Sequence, residues 1–201
     1  MRIAVLSRQF GAGEPVSQYV EGLAGHLAER GHETCVFAFE DGSEVPGPEG
    51  VEVRRVPLHF DADNLYNWSM MLNNELKAAV VEWSSDEIDL VFANDWATVP
   101  GGITLSRRLE VPLVVTVHST ENERGFGDET SGMISELEWE AGFEAEKVLA
   151  VGEDTRNSLM FDLDVPERKV ELIDPFSEGW ERRVEKICSD LCEGEKQVAE
   201  V

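Results

Sequence analysis

The sequence predicts an α/β domain: a parallel sheet with helices covering both faces. Short apolar strand signals alternate with stretches of helical periodicity almost from end to end. The connections between them are short, which suits parallel strands joined by crossover helices. At 201 residues and 42% hydrophobic content, with no internal repeat or low-complexity linker, the chain suits one domain with a substantial core.

The elements follow in order. "RIAVLS" (2–7) reads as a buried strand, and Val16, Val20, Leu23, Ala24 and Leu27 then recur at helical spacing up to a stop at Gly31. "ETCVFAF" (33–39) is a second strand, followed by the Gly/Pro-rich loop "EDGSEVPGPEG". "VEVRRVP" (51–57) is a third strand whose alternating polar residues mark an edge, and a long helix covers 67–83. "DLVFAN" (89–94), a helix near Val99–Leu109 and "PLVVTVH" (112–118) come next. After the polar loop "STENERGFGDETSG" stand a helix near Met133–Glu144, the strand "KVLAV", a short helix and the strand "KVELI" (169–173). The domain runs over 1–175. Over 176–201 the pattern changes: Trp180, Val184, Ile187 and Leu191 form one helical stripe that must pack back on the domain, and "EGEKQVAEV" behind it reads as a frayed tail.

Composition narrows the function classes. Lys and Arg number 17 against 41 Asp and Glu, a net charge of −24 spread along the whole chain. Such a surface repels nucleic acid and anionic membranes, and it points to a protein of a halophilic cytoplasm. No signal peptide is evident, and no apolar run approaches the roughly 18 residues of a membrane helix. Cys35, Cys188 and Cys192 form no even framework and no metal-ligand cluster, so they read as reduced thiols, with no metal site expected.

In an open parallel sheet, ligands bind beyond the carboxyl ends of the strands. Three loops there carry useful residues. "NDW" sets the carboxylate of Asp95 beside Trp96, a hydroxyl acceptor next to a flat apolar face, as a sugar ring favours; the alternative is a helix cap and a core aromatic. "HSTENERG" places His118 at a strand end, followed by Ser119, Thr120 and Glu121. The opening loop holds Gly11-x-Gly13, two of the three glycines of a dinucleotide fingerprint, with Val16 at the third and Glu40 ending the second strand. Three residues separate the first strand from Gly11, where that fingerprint wants a tight turn, so NAD or FAD binding is the secondary reading, that of a small dinucleotide-binding enzyme.

Together, "GHETCVFAF", "NDWATVPGGITL", "PLVVTVHSTENERG", "ELEWEAGFEAEKVLAVGEDTRNSLM" and "VPERKVELI" resemble, in order, the N-terminal domain of family 4 retaining glycosyltransferases, closest in flavour to the archaeal glycogen-synthase-like branch. The resemblance implies one Rossmann-like half of a GT-B fold. In that fold the first domain binds the acceptor sugar and the second binds the nucleotide-sugar donor. It places Asp95, Trp96 and His118 at the inter-domain cleft, with Ser119, Thr120 and Glu121 along the acceptor path. Asn94 stands where the family usually has histidine, and the family's Gly-Gly pair falls on Glu14 and Pro15. With Gly11 and Gly13 these form a degenerate phosphate loop: Glu14 adds negative charge at a helix N-terminus and Pro15 lacks an N–H. "VELIDP" passes directly to "FSEGWERRVEKICSDL", which resembles the family's closing helix, so the donor domain is expected to be absent, and with it every catalytic residue. The expected role is a sugar- or partner-binding module, or the acceptor half of a split glycosyltransferase. A nucleotide sugar would then enter only with a partner's donor domain.

Overall fold

In the computed structural model, residues 1–199 are described apart from 12, 43, 44, 60, 85, 86 and 128. Ala12 of the opening loop and the last two residues of the expected tail therefore lie outside the described residues. Seven strands, β1 (Arg2–Ser7), β2 (Glu33–Phe39), β3 (Val51–Val56), β4 (Leu90–Asn94), β5 (Leu113–Val117), β6 (Lys147–Val151) and β7 (Val170–Ile173), pair in parallel in the order β3-β2-β1-β4-β5-β6-β7. Helices α1 (Pro15–Glu29) and α7 (Trp180–Ala199) cover one face. The other is covered by α2 (Leu65–Trp83), α3 (Val99–Leu109), α5 (Ser131–Glu144) and α6 (Glu153–Phe161). A single-turn helix, α4 (Glu121–Arg124), interrupts the polar loop after β5.

Period-two alternation sorts the strand side chains between two apolar layers. Ile3, Val5, Val36 and Phe92 face α1 and α7, while Ala4, Leu6, Phe37 and Val91 face α2 and α3. Burial on both faces is why these strands need no polar alternation. β3 lies at the sheet edge, as its polar residues require. The first helix starts with Pro15 at its first turn. It ends in a Schellman motif, with Gly31 N–H on the Ala28 carbonyl (2.9 Å) and His32 N–H on that of Leu27 (3.0 Å).

α7 differs from the expected stripe. Trp180, Val184, Cys188 and Cys192 are the buried positions, and Ile187 and Leu191 flank them half-buried. Two cysteines thus serve as small apolar side chains, and burial pushes the Cys188 thiol up, which keeps it protonated. The helix also continues through Ala199, beyond the point where a frayed tail is expected. Glu185 accepts from His26 Nε2 (2.9 Å), His32 Nε2 (3.3 Å) and Arg30 Nε (3.3 Å), so one carboxylate ties α7 to the end of α1.

A buried polar network fixes the end of β4. Asn73 of α2 donates to the carbonyls of Ser69 (2.7 Å) and Ala97 (2.8 Å), and its Oδ1 accepts the Gly101 N–H (2.8 Å). Ser69 Oγ donates to the same Ala97 carbonyl at 2.7 Å. Asn73 thereby satisfies an orphan N–H in the first turn of α3 and pins the 3-10 turn Trp96–Thr98. A Cβ on Gly101 would stand 2.5 Å from Asn73 Oδ1, so the glycine is required by this close approach.

Replacing Asn73 with Ala leaves Gly101 N–H unsatisfied in the core. Urea denaturation is expected to show a loss of about 1–3 kcal/mol, against no measurable loss if the network is idle.

Candidate functional site

β1 and β4 are neighbours whose following chains diverge, and a cleft opens at this switch point beyond the strands' carboxyl ends. It is narrow, with a cavity volume of about 60 Å³, and is lined by Arg8, Gln9, Glu14, Val16, Ser17 and Asn94–Ala97. A shallower hollow, lined by Phe39, Asn64, Leu65 and Trp68, shares Arg8, Gln9 and Glu14 with it. The Arg8–Glu14 ion pair (3.2 Å) lies between the two.

Asp95 is the unusual residue of the cleft. Its φ of 62° and ψ of 165° fall in a region that glycine alone adopts freely. Its amide donates to the Thr116 carbonyl (2.8 Å) and its own carbonyl accepts the Thr98 N–H (3.1 Å), so the strained backbone is held from both sides. Despite the cap position, its side chain makes no cap hydrogen bond. Three buried side-chain atoms at the ends of β4 and β5 lack any hydrogen-bond partner among the described residues: Asn94 Oδ1, Asp95 Oδ1 and His118 Nε2. Polar atoms buried without a partner are rare and costly, and here they cluster where the fold places ligands.

The electrostatics fit this placement. Burial pushes the Asp95 carboxyl above its ordinary value, opposed by the charges of His118, Arg124 and Arg8 and by the Trp96 amide. Burial likewise pushes the His118 imidazole down, opposed by Asp95. Burial thus disfavours charge on both groups, and Asp95 Oδ1 and His118 Nε2 are left with hydrogen-bonding capacity that no described residue uses.

The other sequence candidates play different parts. Trp96 lines the cleft but is only 7% exposed and packs with Ala97, Ile134 and Leu137, so it is chiefly a core aromatic. Ser119 takes Arg124 Nη1 on its carbonyl (2.6 Å) and hydroxyl (2.9 Å). Thr120 is fully buried: it caps α4 in a reciprocal capping box with Glu123 and shares a 2.7 Å hydrogen bond with Ser158. Glu121 accepts from Ser131 Oγ (2.6 Å) and Arg124 Nε (3.0 Å). Thr120 and Glu121 are thus engaged by protein groups and support the loop. The motif Thr120-x-x-Glu123 is a capping-box signature that announces α4 in the sequence.

Glu138 of α5 carries no such signature. Its carboxylate accepts the Glu121 N–H on both oxygens (2.9 and 2.8 Å) and Arg124 Nη2 (2.8 Å). Burial pushes its carboxyl up to about 7, against those bonds and the Arg124 charge. Only the folded chain brings these residues together.

The opening loop is closed on itself. Gly11 has a φ of 82°, and a Cβ there would meet that of Val45 at 2.7 Å, so glycine is demanded. Its N–H donates to Ser17 Oγ at 2.6 Å, and the Gly13 carbonyl accepts Gln18 Nε2 at 2.9 Å. Pro15 has no N–H. Glu14, the residue before α1, makes no cap hydrogen bond and holds Arg8 instead. Among the described residues, no group of three or more His, Cys, Asp and Glu side chains could hold a metal ion.

Two outcomes follow. Asp95→Gly removes the backbone strain and is expected to raise stability by about 1–3 kcal/mol in urea denaturation; a loss would show that the conformation is not strained. Glu138 has its pKa raised on folding, so its contribution to stability is complete below the unfolded value near 4.5 and lost as pH rises through about 7. Between those pH values the wild type is expected to lose stability relative to Glu138→Gln, and parallel curves would refute the raised pKa.

Comparison with known proteins agrees with this architecture. The model of Glycosyltransferase Family 4 matches residues 16–176. An uncharacterised glycosyltransferase of Methanocaldococcus jannaschii is 28% identical over 169 residues, 81% of this chain and 42% of the relative, so the chain spans about two fifths of that protein's length. A sucrose-phosphate synthase chain from Thermosynechococcus elongatus superposes with a TM-score of 0.67 at 19% identity, covering 96% of this chain and 98% of that one. Another chain of the same name covers 87% and 48%, with a TM-score of 0.67 at 16% identity. Anabaena HepE, solved with UDP and glucose, gives 0.62 at 18% identity, over 87% of this chain and 44% of its own. With its seven-stranded parallel sheet and closing helix, the chain belongs to Glycosyltransferase Family 4 and has the fold of the N-terminal domain of a GT-B glycosyltransferase.

Proposed function

We propose that the chain supplies the acceptor-side half of a glycosyl-transfer site. In this reading it binds a sugar or glycan at Asp95 and His118 and works with a donor-side half on another polypeptide or a related glycosyltransferase. The observation that carries it is the group of buried atoms without a hydrogen-bond partner among the described residues, Asn94 Oδ1 and the strained Asp95's Oδ1 at the end of β4, where both residues line the cleft, and His118 Nε2 at the neighbouring end of β5. A sugar hydroxyl, both donor and acceptor, matches such atoms without bringing a charge into an acidic protein. The adjoining hollow at Leu65 and Trp68 gives a longer acceptor room to continue.

Two features support a donor half elsewhere. In the opening loop the Gly11 N–H is taken by Ser17 Oγ and Pro15 has no N–H, so a pyrophosphate would meet the Glu14 carboxylate there. Residues 174–179 alone join β7 to α7, so no second domain is inserted there. The resemblance to the archaeal glycogen-synthase-like branch points to a glucan theme for the acceptor. Among the described residues, no helix is long and apolar enough to cross a membrane. The even spread of acidic residues and the buried thiols of Cys35 and Cys188 favour a reducing, high-salt cytoplasm.

Calorimetric titration with glucose and maltose tests the site. Binding is expected in the wild type, weakened about tenfold or more, roughly 1.4 kcal/mol, by Asp95→Asn or His118→Ala, while UDP gives no heat. Transfer of labelled glucose from UDP-glucose by the chain alone would contradict a catalytically incomplete half. Screening of the net charge of −24 is expected to raise the melting temperature steadily as KCl rises, and a flat response would argue against the high-salt reading.

A further inference from the structure

We propose that Tyr19 is a positioning residue through which the closing helix α7 sets the shape of the ligand site. This inference rests on the assignment of Asp95 and His118 to that site. Tyr19 stands on α1, 3% exposed, and touches both the helix and the site. Its ring stacks on that of Trp180, the first residue of α7, with centroids 4.7 Å apart and planes at 24°. It also meets the His118 ring edge-on, at 5.0 Å and 85°. Its hydroxyl pairs with Thr116 Oγ1 at 3.2 Å, and the Thr116 carbonyl holds the Asp95 amide at 2.8 Å. One side chain thus links the start of α7 to the histidine and to the backbone that holds the aspartate.

Core packing alone does not call for this arrangement. A phenylalanine would fill the same layer without a buried phenol that needs a partner. Burial pushes the Tyr19 phenol up, so the hydroxyl stays neutral and acts as a hydrogen-bonding strut at the end of β5. Among the described residues, the Tyr19 phenol from α1 and the Asp95 carboxyl from the end of β4 act on the His118 ring, and the Glu123 carboxylate of α4 reaches the His118 carbonyl through Thr155 Oγ1 (3.1 and 3.4 Å). Further along α7, Glu185 ties the helix to His26, His32 and Arg30, so α7 is held in register at two places. A shift of α7 at Trp180 withdraws the support behind Tyr19 and admits water beside His118.

NMR titration of the His118 imidazole tests the link in the whole chain, with urea denaturation of each variant to confirm folding. In the wild type the midpoint is expected below the ordinary value of about 6.5. Trp180→Ala is expected to move the His118 resonances and raise the midpoint toward that value. Trp180→Phe, which keeps a stacked ring, is expected to restore both. Tyr19→Phe is expected to shift the Asp95 amide resonance, since it removes the hydroxyl from Thr116. A folded Trp180→Ala whose His118 titration matches the wild type would overturn the proposal and leave Trp180 as packing only. If Trp180→Ala fails to fold, Tyr19→Phe decides by the same spectra: an unmoved Asp95 amide overturns the strut. Calorimetry with maltose separates the two readings. A wild type that binds no sugar defeats the site assignment, while the dependence of His118 on Trp180 stands or falls on the spectra.

Discussion

The hydrogen bond from the Asp95 amide to the Thr116 carbonyl, 2.8 Å long, is the contact on which the site depends. It joins the carboxyl ends of two central strands where the sheet's regular pairing stops. To make it, Asp95 adopts a backbone conformation that costs roughly 1–3 kcal/mol in a residue with a side chain. Such strain persists only when the surroundings over-determine it. Here Asn73 and Ser69 lock the following turn from the α2 side, and Tyr19 braces Thr116 from the α1 side. The two apolar layers of the fold therefore meet, through polar groups, at one aspartate.

That aspartate, His118 and Asn94 present atoms with no hydrogen-bond partner among the described residues, while several groups of the opening loop are engaged locally. Gly11, Gly13 and Glu14 all make hydrogen bonds within their own neighbourhood. In the opening loop two glycines at positive φ make the turn, and the Gly11 N–H, the Gly13 carbonyl and the Glu14 carboxylate are engaged locally. The contrast is what the proposed acceptor-side role rests on.

The sequence made the sheet and its helices legible because buried parallel strands leave uninterrupted apolar runs, and helices such as α1 declare their stops. Asp95 and His118 were legible as candidates because they end two such runs. Their support was not. Glu138 pairs with Glu121 and Arg124 across 14 to 17 residues, and Tyr19 with Thr116 and Trp180 across far longer separations; no local pattern encodes those contacts. The sequence leaves Trp96 open as a sugar platform or a core aromatic, and the fold shows it largely buried while still lining the cleft. On α7 the apolar bias of the usual hydrophobic residues favoured Ile187 and Leu191, whereas the fold buries the smaller Cys188 and Cys192 against the sheet. His26 and His32 gave no sign that they gather on Glu185.

A crystal structure of the chain with maltotriose tests the central claim most directly. The account predicts a sugar ring in the cleft, with hydroxyl groups within hydrogen-bond distance of Asp95 Oδ1 and His118 Nε2, and Asp95 still at positive φ. A sugar bound elsewhere, or Asp95 relaxed to an ordinary backbone conformation with its carboxylate turned to a protein partner, would contradict it.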